Sequence, residues 1–357
     1  MRRRRLRDLF GPPPDPERIF WSALWFREHN NARYAELLPR LERVDAYFLT
    51  CSGSRVPRGL QFRAYRGAPG DLAQRVVAGR ASRLYRGMLC TEFRQIPLFR
   101  GPVVVDVDDP FFDERALSLF RRPNVVAFVT LSGWAAERFR ELGVTAPIHV
   151  VPQGVDLSTL PREATRAPDG TIVVGYTASV LATAEDPGVD SLYHVDHLLE
   201  LWNEIGPRLP EGRLRLVGEP TERLRGRLAG REDVELAGRV PRAEVLRHVA
   251  GFDIALYPRA RSEGIQAAKI AEYLGAGVPT VSYDYRVADV LRETGSGLVV
   301  ATTREFAEAV VRLARDEAER RRLAEAARGA GAGLDWNVLA RRYETEILDR
   351  YLTPPRA

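Results

Sequence analysis

The chain has 357 residues, of which 45% are hydrophobic and 28% charged, a composition that is enough for two globular domains. No apolar run approaches the roughly 18 residues that a membrane-spanning helix needs. The two cysteines, Cys51 and Cys90, belong to no CxxC motif or Cys/His cluster, which argues against a disulfide scaffold and a structural zinc site.

The net charge is +5, and much of the positive excess lies in the opening segment MRRRRLRDLF. We expect residues 1–15 to form a basic disordered tail, because blocks of like charge repel each other and stay solvated. The arginines from Arg2 to Arg7 are also suited to an anionic membrane surface. GPPPDPE follows instead of the apolar core of a signal peptide, so the expected location is cytoplasmic, with peripheral attachment to the inner face of the cell membrane as a further option.

Residues 16–157 alternate short apolar runs with helical ones, which predicts a Rossmann-like domain whose parallel sheet is covered on both faces. The expected strands are RIFWSALWF, DAYFLT, PVVVDVD, VVAFVT and IHVVP, and ARYAELLPRL is the expected first helix.

A polar, proline-containing segment near residues 157–170 is typical of a linker, and residues 168–335 then repeat the scheme. The expected strands there are TIVVGYT, LRLVG, VELAG, FDIALYP, VPTVSYD and GLVVA. Residues 304–351 are expected to be nearly all helix with a break at GAGAGLDW, and helix 336–351 to pack back on the first domain. The predicted fold class is α/β, with two doubly wound domains that face each other across a ligand-binding cleft.

The most informative segment is PRARSEGIQAAKIAEYLGAGVPTVSYD, residues 258–284. It predicts a helix directly after a strand, with Ser262 as the N-cap and an end near Leu274. The free N–H groups and the positive dipole end of such a helix are suited to a phosphate. The segment therefore predicts an anion-binding site.

Lys269 and Glu272 lie three residues apart, so they project from one face of this helix. The ammonium is suited to a diphosphate and the carboxylate to ribose hydroxyls. Lys269 is also the only lysine of the chain, which indicates that an arginine will not serve at this position. The alternatives are chance and a surface salt bridge between the two side chains.

Residues 258–284 resemble the donor-binding signature of the group 1 (family 4) retaining glycosyltransferases, which have the GT-B fold. Other segments resemble further pieces of that family in the expected order: VTLSGWAAERFRELGVTAPIHVVPQGVD, LRLVGEP, VELAGRVPRAEVLRHVAGFDIALYP and LDWNVLARRYETEIL. The resemblance covers about residues 125–350.

The resemblance implies an enzyme that moves a hexose-type sugar from a nucleotide-diphosphate donor, UDP- or GDP-linked, to a glycan or lipid-linked acceptor in cell-surface polysaccharide biosynthesis. It implies retention of anomeric configuration and no metal or other cofactor. Glu272 would grip the ribose, the backbone at Arg239 and Val240 would contact the base, and a GYTAS loop would lie beside the diphosphate. The donor-binding residues are then Gly175, Thr177, Ser179, Arg239, Val240, Arg259, Gly264, Gln266, Lys269 and Glu272.

The sequence departs from the family at two points. Where the family has its first glutamate, eight positions before the second, this chain has Gly264. Glu263 is the nearest carboxylate, and we assign it a catalytic role in contact with the donor sugar. A plain carboxylate at a helix start is the alternative. The basic pair that follows the GYTAS-like loop is also missing, so Lys269, with Arg259 or Arg261, has to supply that charge.

Acceptor binding is expected in the first domain. VVVDVDDPFFD places Asp106, Asp108 and Asp109 at the end of a buried strand, where a carboxylate can orient a hydroxyl or act as a base. We assign catalytic roles to Asp108 and Asp109, with capping of the turn before Pro110 as the alternative.

A second acceptor-binding candidate is the turn after the first strand, which carries His29, Asn30 and Asn31. Helix capping by Asn31 alone is the alternative explanation.

His194, Asp196 and His197 resemble a metal cluster, but we interpret them as a polar helix start because no third ligand motif accompanies them. Three other functions stay open: a catalytically silent nucleotide-sugar-binding protein, an inverting GT-B transferase and a nucleotide-sugar epimerase. Nucleic-acid binding is disfavoured, since the arginines are not clustered with aromatic residues.

Overall fold

The computed structural model describes residues 17–27, 32–52, 70–108, 112–161, 170–259 and 268–352. The chain divides into two compact units, the first comprising Met1–Gln153 with Trp336–Ala357 and the second comprising Gly154–Asp335. Each unit contains a six-stranded sheet whose strands are parallel and alternate with helices. The predicted α/β class with two Rossmann-like sheets is confirmed.

In the first unit, the sheet has the order β2-β1-β3-β4-β5-β6. Its elements are β1 (Ile19–Arg27), α1 (Ala32–Leu37), β2 (Val44–Ser52), α2 (Gly70–Leu84), β3 (Gly87–Cys90), β4 (Val103–Asp106), α3 (Glu114–Phe120), β5 (Val125–Thr130), α4 (Gly133–Glu141) and β6 (Ile148–Val150). Five of these strands coincide with the predicted apolar runs. The sequence analysis did not identify β3, because only three consecutive apolar residues, Met88 to Cys90, mark it in the sequence.

Apolar side chains cover both faces of the first sheet, as expected for a parallel sheet. Neighbouring residues of β1 point to opposite faces: Ile19 and Trp21 join one apolar cluster, whereas Phe20 joins the other. All residues of β3 and β4 are buried. The apolar core of this unit therefore lies on both faces of the sheet.

In the second unit, the sheet has the order β12-β11-β10-β7-β8-β9. Its elements are β7 (Ile172–Leu181), α5 (Asp196–Ile205), β8 (Gly212–Pro220), α6 (Glu222–Leu228), β9 (Val234–Gly238), α7 (Val245–Val249), β10 (Ile254–Tyr257), α8 (Ala268–Gly275), β11 (Thr280–Tyr283), α9 (Asp289–Thr294), β12 (Gly297–Val300), α10 (Thr303–Arg315) and α11 (Glu317–Ala332). Every strand predicted for this half is present.

The prediction that Gly175–Ser179 form a loop is wrong, because β7 continues to Leu181. Its pairing with β8 is irregular between Thr177 and Val180 and then resumes. The extra residue on β7 is accommodated as a bulge, so the chain does not leave the sheet where a loop was expected.

The predicted helix break at GAGAGLDW is present: α11 continues to Ala332, and residues 333–335 separate it from the helix that begins at Trp336. A side chain at Gly331 would come within 2.6 Å of the Leu274 carbonyl oxygen. The glycine therefore permits close packing of α11 on α8 and does not end the helix.

The C-terminal segment returns to the first unit. It consists of α12 (Trp336–Arg342), a π-helical turn (Tyr343–Leu348) and α13 (Asp349–Tyr351). Trp336, Leu339 and Tyr343 are completely buried in the apolar cluster that also contains Ile19 and Trp21. In the part of the chain that the structure describes, no helix is long and apolar enough to cross a membrane.

Candidate functional site

The helix α8 follows β10 at the carboxyl end of the second sheet and is enclosed by its own unit. All its residues from Ile270 to Gly275 are buried. A side chain at Gly275 would come within 2.8 Å of Val155, and α11 packs closely against α8. Side chains on this helix consequently have little freedom to turn away from their neighbours.

Glu272 is 4% exposed. A buried carboxylate needs a positive or hydrogen-bonding partner, since loss of its hydration is costly. Arg242 provides it, with its Nη1 atom 2.6 Å from the Glu272 Oε1 atom. Glu272 is therefore held as an ion pair with a residue that is thirty positions away in the sequence.

Arg242 is a site residue that the sequence analysis missed. It opens a 3-10 turn, Arg242–Glu244, shortly after β9 ends at Gly238, which has a φ of 73°. The surrounding sequence, GRVPRAEVLRH, contains several basic residues that look alike in a single sequence. The sequence contained only an indirect indication of Arg242: a glutamate on a buried helix requires a cation as its partner.

Lys269 lies one turn before Glu272 on α8 and is half-buried. Its Nζ atom donates a hydrogen bond to the Tyr176 hydroxyl at 3.0 Å and lies 4.2 Å from the centre of the Tyr176 ring. The Tyr257 ring centre is 5.9 Å away. An ammonium at a ring face is stabilised by the ring quadrupole, and two of its three protons remain for other acceptors.

The alternative of a surface salt bridge between Lys269 and Glu272 does not describe what is observed, since the two side chains have the partners given above. Both instead lie at the carboxyl-end edge of the sheet, because Tyr257 is the last residue of β10. The arrangement combines a fixed cation with a fixed carboxylate on one helix.

Two tyrosines beside α8, Tyr257 and Tyr273, are neutral at physiological pH. Burial raises the pKa of Tyr257 to about 12, although nearby Arg259 opposes the shift. Burial also raises the pKa of Tyr273, whose hydroxyl accepts a hydrogen bond from the Thr177 backbone N–H at 3.1 Å. Thr177, a predicted donor-binding residue, is thereby tied to α8.

The other described residues of the predicted donor site differ in exposure. Ser179 and Arg239 are exposed, and Val240 is partly buried against the apolar core. At Gly175 a side chain would come within 2.1 Å of the Phe252 ring. The glycine therefore permits close packing against Phe252, and its proposed contact with the diphosphate stays a prediction.

Several predicted residues lie outside the part of the chain that the structure describes. Their roles stay predictions. They are Arg2 to Arg7, His29, Asn30, Asn31, Asp109, Arg261, Ser262, Glu263, Gly264 and Gln266.

In the first unit, the carboxylates that follow β4 have unlike environments. Asp106 is fully buried and accepts hydrogen bonds from Tyr343 at 2.7 Å and from Tyr34 at 3.3 Å. Asp108 has a side chain that is 45% exposed and lies 3.8 Å from the Arg33 Nε atom. Asp106 is thus an internal anchor, whereas Asp108 can reach a ligand.

The guanidinium of Arg33 lies within 4 Å of both carboxylates. Burial lowers its pKa, but Asp106 and Asp108 raise it by more, so that the net pKa lies above the usual value. Burial followed by the Asp106 charge raises the pKa of Tyr34 and of Tyr343 well above the ordinary range. The network therefore joins a permanent cation to two carboxyl groups and two neutral hydroxyls.

The polar helix start around α5 has local partners. His197 shares a hydrogen bond of 2.7 Å with the Tyr283 hydroxyl, and His194 faces the Val189 carbonyl oxygen at 3.3 Å. Asp196 pairs with Arg227. Within the described ranges, no group of three His, Cys, Asp or Glu side chains could hold a metal ion.

Comparisons with known proteins agree with this organisation. Residues 189–316, a segment of the second unit that includes Arg242 and α8, match the family model of the group 1 glycosyl transferases. No curated protein matches the chain.

Solved structures give a match over almost the whole chain. HepE from Anabaena, solved in complex with UDP, is 15% identical with a TM-score of 0.69, over 92% of this chain and 99% of that one. Sucrose-phosphate synthase from Thermosynechococcus elongatus is 13% identical with a TM-score of 0.66, over 91% and 97%. WaaG, a glycosyltransferase involved in lipopolysaccharide biosynthesis, is 14% identical with a TM-score of 0.60, over 92% and 99%.

At these identities the likeness to solved structures shows the fold. The chain as a whole has the GT-B fold, and the segment 189–316 of its second unit is similar to the group 1 glycosyl transferases.

Proposed function

We propose that the protein transfers a hexose-type sugar from a UDP- or GDP-linked donor to a glycan or lipid-linked acceptor, with the donor bound by the second unit. One observation carries the proposal: Lys269 and Glu272 lie on one buried helix at the carboxyl end of a parallel strand, each held by a specific partner. Parallel α/β sheets bind ligands at that end. The UDP complex of HepE supports a nucleotide donor.

In the proposed reaction, the bond between the sugar anomeric carbon and the diphosphate oxygen breaks, and its electron pair leaves with the nucleotide diphosphate. The acceptor oxygen attacks the anomeric carbon from the same face and gives its proton to the leaving diphosphate oxygen. Attack from the side of the leaving group retains the configuration. Lys269 neutralises the charge that develops on the leaving diphosphate, and Glu272 fixes the ribose. Such fixed charges act mainly by electrostatic stabilisation and positioning, without a metal or other cofactor.

The proposal assigns the remaining candidates to the substrates. Asp108 orients an acceptor hydroxyl, consistent with its exposed carboxylate at the end of β4. Asp109 and Glu263 keep their proposed catalytic roles, and His29 to Asn31 their proposed acceptor contacts.

The first test is ligand binding. UDP, GDP, ADP and dTDP, each with and without glucose attached, are screened by thermal shift, since a ligand at 100 times its dissociation constant adds about 2.7 kcal/mol to the free energy of unfolding. We expect one nucleotide to dominate, and Glu272→Gln to abolish its shift. Glu293→Gln, which changes an exposed glutamate of the same unit, is the control. Absence of any shift at millimolar concentration contradicts the proposal.

The second test is the chemistry. The preferred donor is incubated with glycan and lipid-linked acceptors, and the product anomer is determined by NMR. Retained configuration supports the proposal, and inversion identifies an inverting transferase. An altered donor sugar identifies an epimerase, and binding without hydrolysis or transfer identifies a silent nucleotide-sugar-binding protein.

We further propose a cytoplasmic enzyme that works in cell-surface polysaccharide biosynthesis and associates with anionic membrane through Arg2 to Arg7. The printed role of WaaG in lipopolysaccharide biosynthesis supports the pathway class. We expect the protein to sediment with vesicles that contain roughly 30% phosphatidylserine, because each cation near the membrane surface contributes about 1 kcal/mol. Replacement of these arginines, or added salt, should reduce the sedimented fraction. Equal sedimentation with neutral vesicles contradicts the membrane proposal.

A further inference from the structure

The ion pair between Arg242 and Glu272 has a geometry that stability alone does not require. Glu272 has a side chain that is 6% exposed, and the Arg242 side chain is 31% exposed. An ion pair of this kind is often no better for stability than apolar residues of similar volume. Every neighbour of Glu272 on α8 from Ile270 to Gly275 is buried, so an apolar residue would suit the position.

The ion pair also makes the two carboxylate oxygens of Glu272 different. The 2.6 Å contact joins Nη1 of Arg242 to Oε1 of Glu272. An arginine held against one oxygen restricts the rotation of the carboxylate, since the group is planar and belongs to a helix whose residues from Ile270 to Gly275 are buried. The second oxygen, Oε2, then keeps a defined direction from which it can accept a hydrogen bond.

We propose that Arg242 is a positioning residue that presents Oε2 of Glu272 to the ribose of the donor nucleotide. The inference rests on the proposed function and deepens it, because it assigns the selection of ribose hydroxyls to a pair of residues. Arg242 acts through Glu272, and it does not need to touch the nucleotide.

In a competing role, Arg242 is a stand-in for the ribose: it binds the carboxylate of Glu272 in the free protein, and the ribose displaces it. The two roles predict opposite effects of removing the guanidinium. A positioning residue strengthens nucleotide binding, so its loss weakens affinity. A stand-in competes with the ribose, so its loss increases affinity.

The test compares the full-length protein with Arg242→Met, which keeps much of the aliphatic side chain. The probes are UDP and 2′,3′-dideoxy-UDP, or the corresponding guanosine pair if GDP is preferred, and calorimetry gives both dissociation constants. For the wild type we expect the dideoxy nucleotide to bind about ten- to a hundredfold more weakly, as loss of hydrogen bonds to a charged group implies. In Arg242→Met this ratio should fall to within about threefold of one.

Three further variants make the result specific. Arg242→Lys keeps the charge and should restore part of the ratio, and Arg242→Met added to Glu272→Gln should have no further effect. Arg247→Met, which removes an exposed arginine five residues later on α7, is the matched control and should leave the ratio unchanged. The ratio compares two ligands on one folded protein, so a general loss of stability does not change it.

Tighter UDP binding by Arg242→Met, or an unchanged ratio, overturns the inference while the proposed function stands. If Arg242→Met does not fold, Arg242→Gln, which also removes the charge, gives the same comparison. If the wild type binds neither nucleotide, or binds the dideoxy form equally well, the ribose role of Glu272 fails and the inference fails with it.

Discussion

At the scale of single residues, Lys269 offers an unusual experimental handle because it is the only lysine of the chain. If its ammonium contacts the diphosphate, saturating UDP should slow the acetylation of Lys269 by acetic anhydride about tenfold or more. The α-amino group of Met1 is the internal reference and should react at the same rate with and without UDP. Mass spectrometry of peptides from both sites measures the two rates, and equal protection at both contradicts the contact.

The same contact predicts the behaviour of two substitutions. Lys269→Ala should weaken UDP binding by about 1.5–3 kcal/mol, because a hydrogen bond to a charged group is lost, and should leave the affinity for uridine unchanged. Lys269→Arg should recover little of this, since a guanidinium stacked on the Tyr176 ring is longer and directs its N–H groups within its own plane, unlike the compact ammonium 4.2 Å from the ring centre. Calorimetry with UDP and uridine checks both, and full recovery by arginine contradicts the argument.

Asp233 gives a prediction for the dependence of stability on pH. Hydrogen bonds from Arg231 lower its pKa to about 2 from the usual 3.8, and Trp202 also donates to it, at 2.8 Å. A carboxyl group with a lowered pKa stabilises the fold above its unfolded-state value, and this contribution disappears as the pH falls through the folded value. Asp233→Asn should therefore lower Tm at pH 7, and the difference from the wild type should shrink between about pH 4 and pH 2. A difference that is constant with pH contradicts this.

At the scale of secondary-structure elements, the crossing of α8 and α11 depends on glycine. A side chain at Gly331 would meet the Leu274 carbonyl oxygen at 2.6 Å and the Gly275 Cα atom at 2.7 Å, and both are backbone atoms that cannot give way. Gly331→Ala should destabilise the second unit by about 1–3 kcal/mol, the usual cost of overpacking.

Gly329 provides the matched control, because it lies on the same helix and nothing would lie within 4 Å of a side chain there. Gly329→Ala should stabilise the protein by up to about 1 kcal/mol, since alanine favours a helix over glycine. Urea denaturation followed by circular dichroism measures both variants. If Gly331→Ala is as stable as Gly329→Ala, the helices are not held together in the way described.

These glycines also show where prediction from the sequence succeeds and where it stops. Apolar runs identified every strand except β3, because burial on both faces of a parallel sheet leaves a continuous hydrophobic signal. The segment GYTAS was misinterpreted, because β7 continues there to Leu181. At Gly175 and Gly331 a side chain would not fit, but the neighbour that excludes it, Phe252 or Leu274, becomes visible only in the fold.

The candidate site follows the same rule. Lys269 and Glu272 could be found from the sequence because helical spacing places them on one face. Arg242 could not, since its pairing with Glu272 depends on a turn at the far end of β9 that the sequence does not relate to α8. The structure likewise separates Asp106 from Asp108, two residues that look equivalent in VVVDVDD.

At the scale of the whole molecule, the C-terminal segment belongs to the core of the first unit although it follows the second unit in sequence. Trp336, Leu339, Ile347 and Leu348 are at most 1% exposed and belong to the same apolar cluster as β1. The Tyr343 hydroxyl adds a specific bond to Asp106 at 2.7 Å. The first unit is therefore complete only after the chain has returned from the second.

Tyr343→Phe, which removes a single oxygen atom, tests whether the C-terminal segment stabilises the first unit. The variant leaves a buried carboxylate of Asp106 with one donor fewer, which should cost the first unit about 1–3 kcal/mol and the second unit nothing. Hydrogen exchange read by mass spectrometry should show faster exchange in β4 and β5 and no change in β8 and β10. Tyr351→Phe is the control from the same segment: its hydroxyl bonds His149 at a partly exposed position, where water can replace it. If Tyr343→Phe leaves the exchange of β4 unchanged, or accelerates both sheets equally, the C-terminal segment does not stabilise the first unit through Asp106.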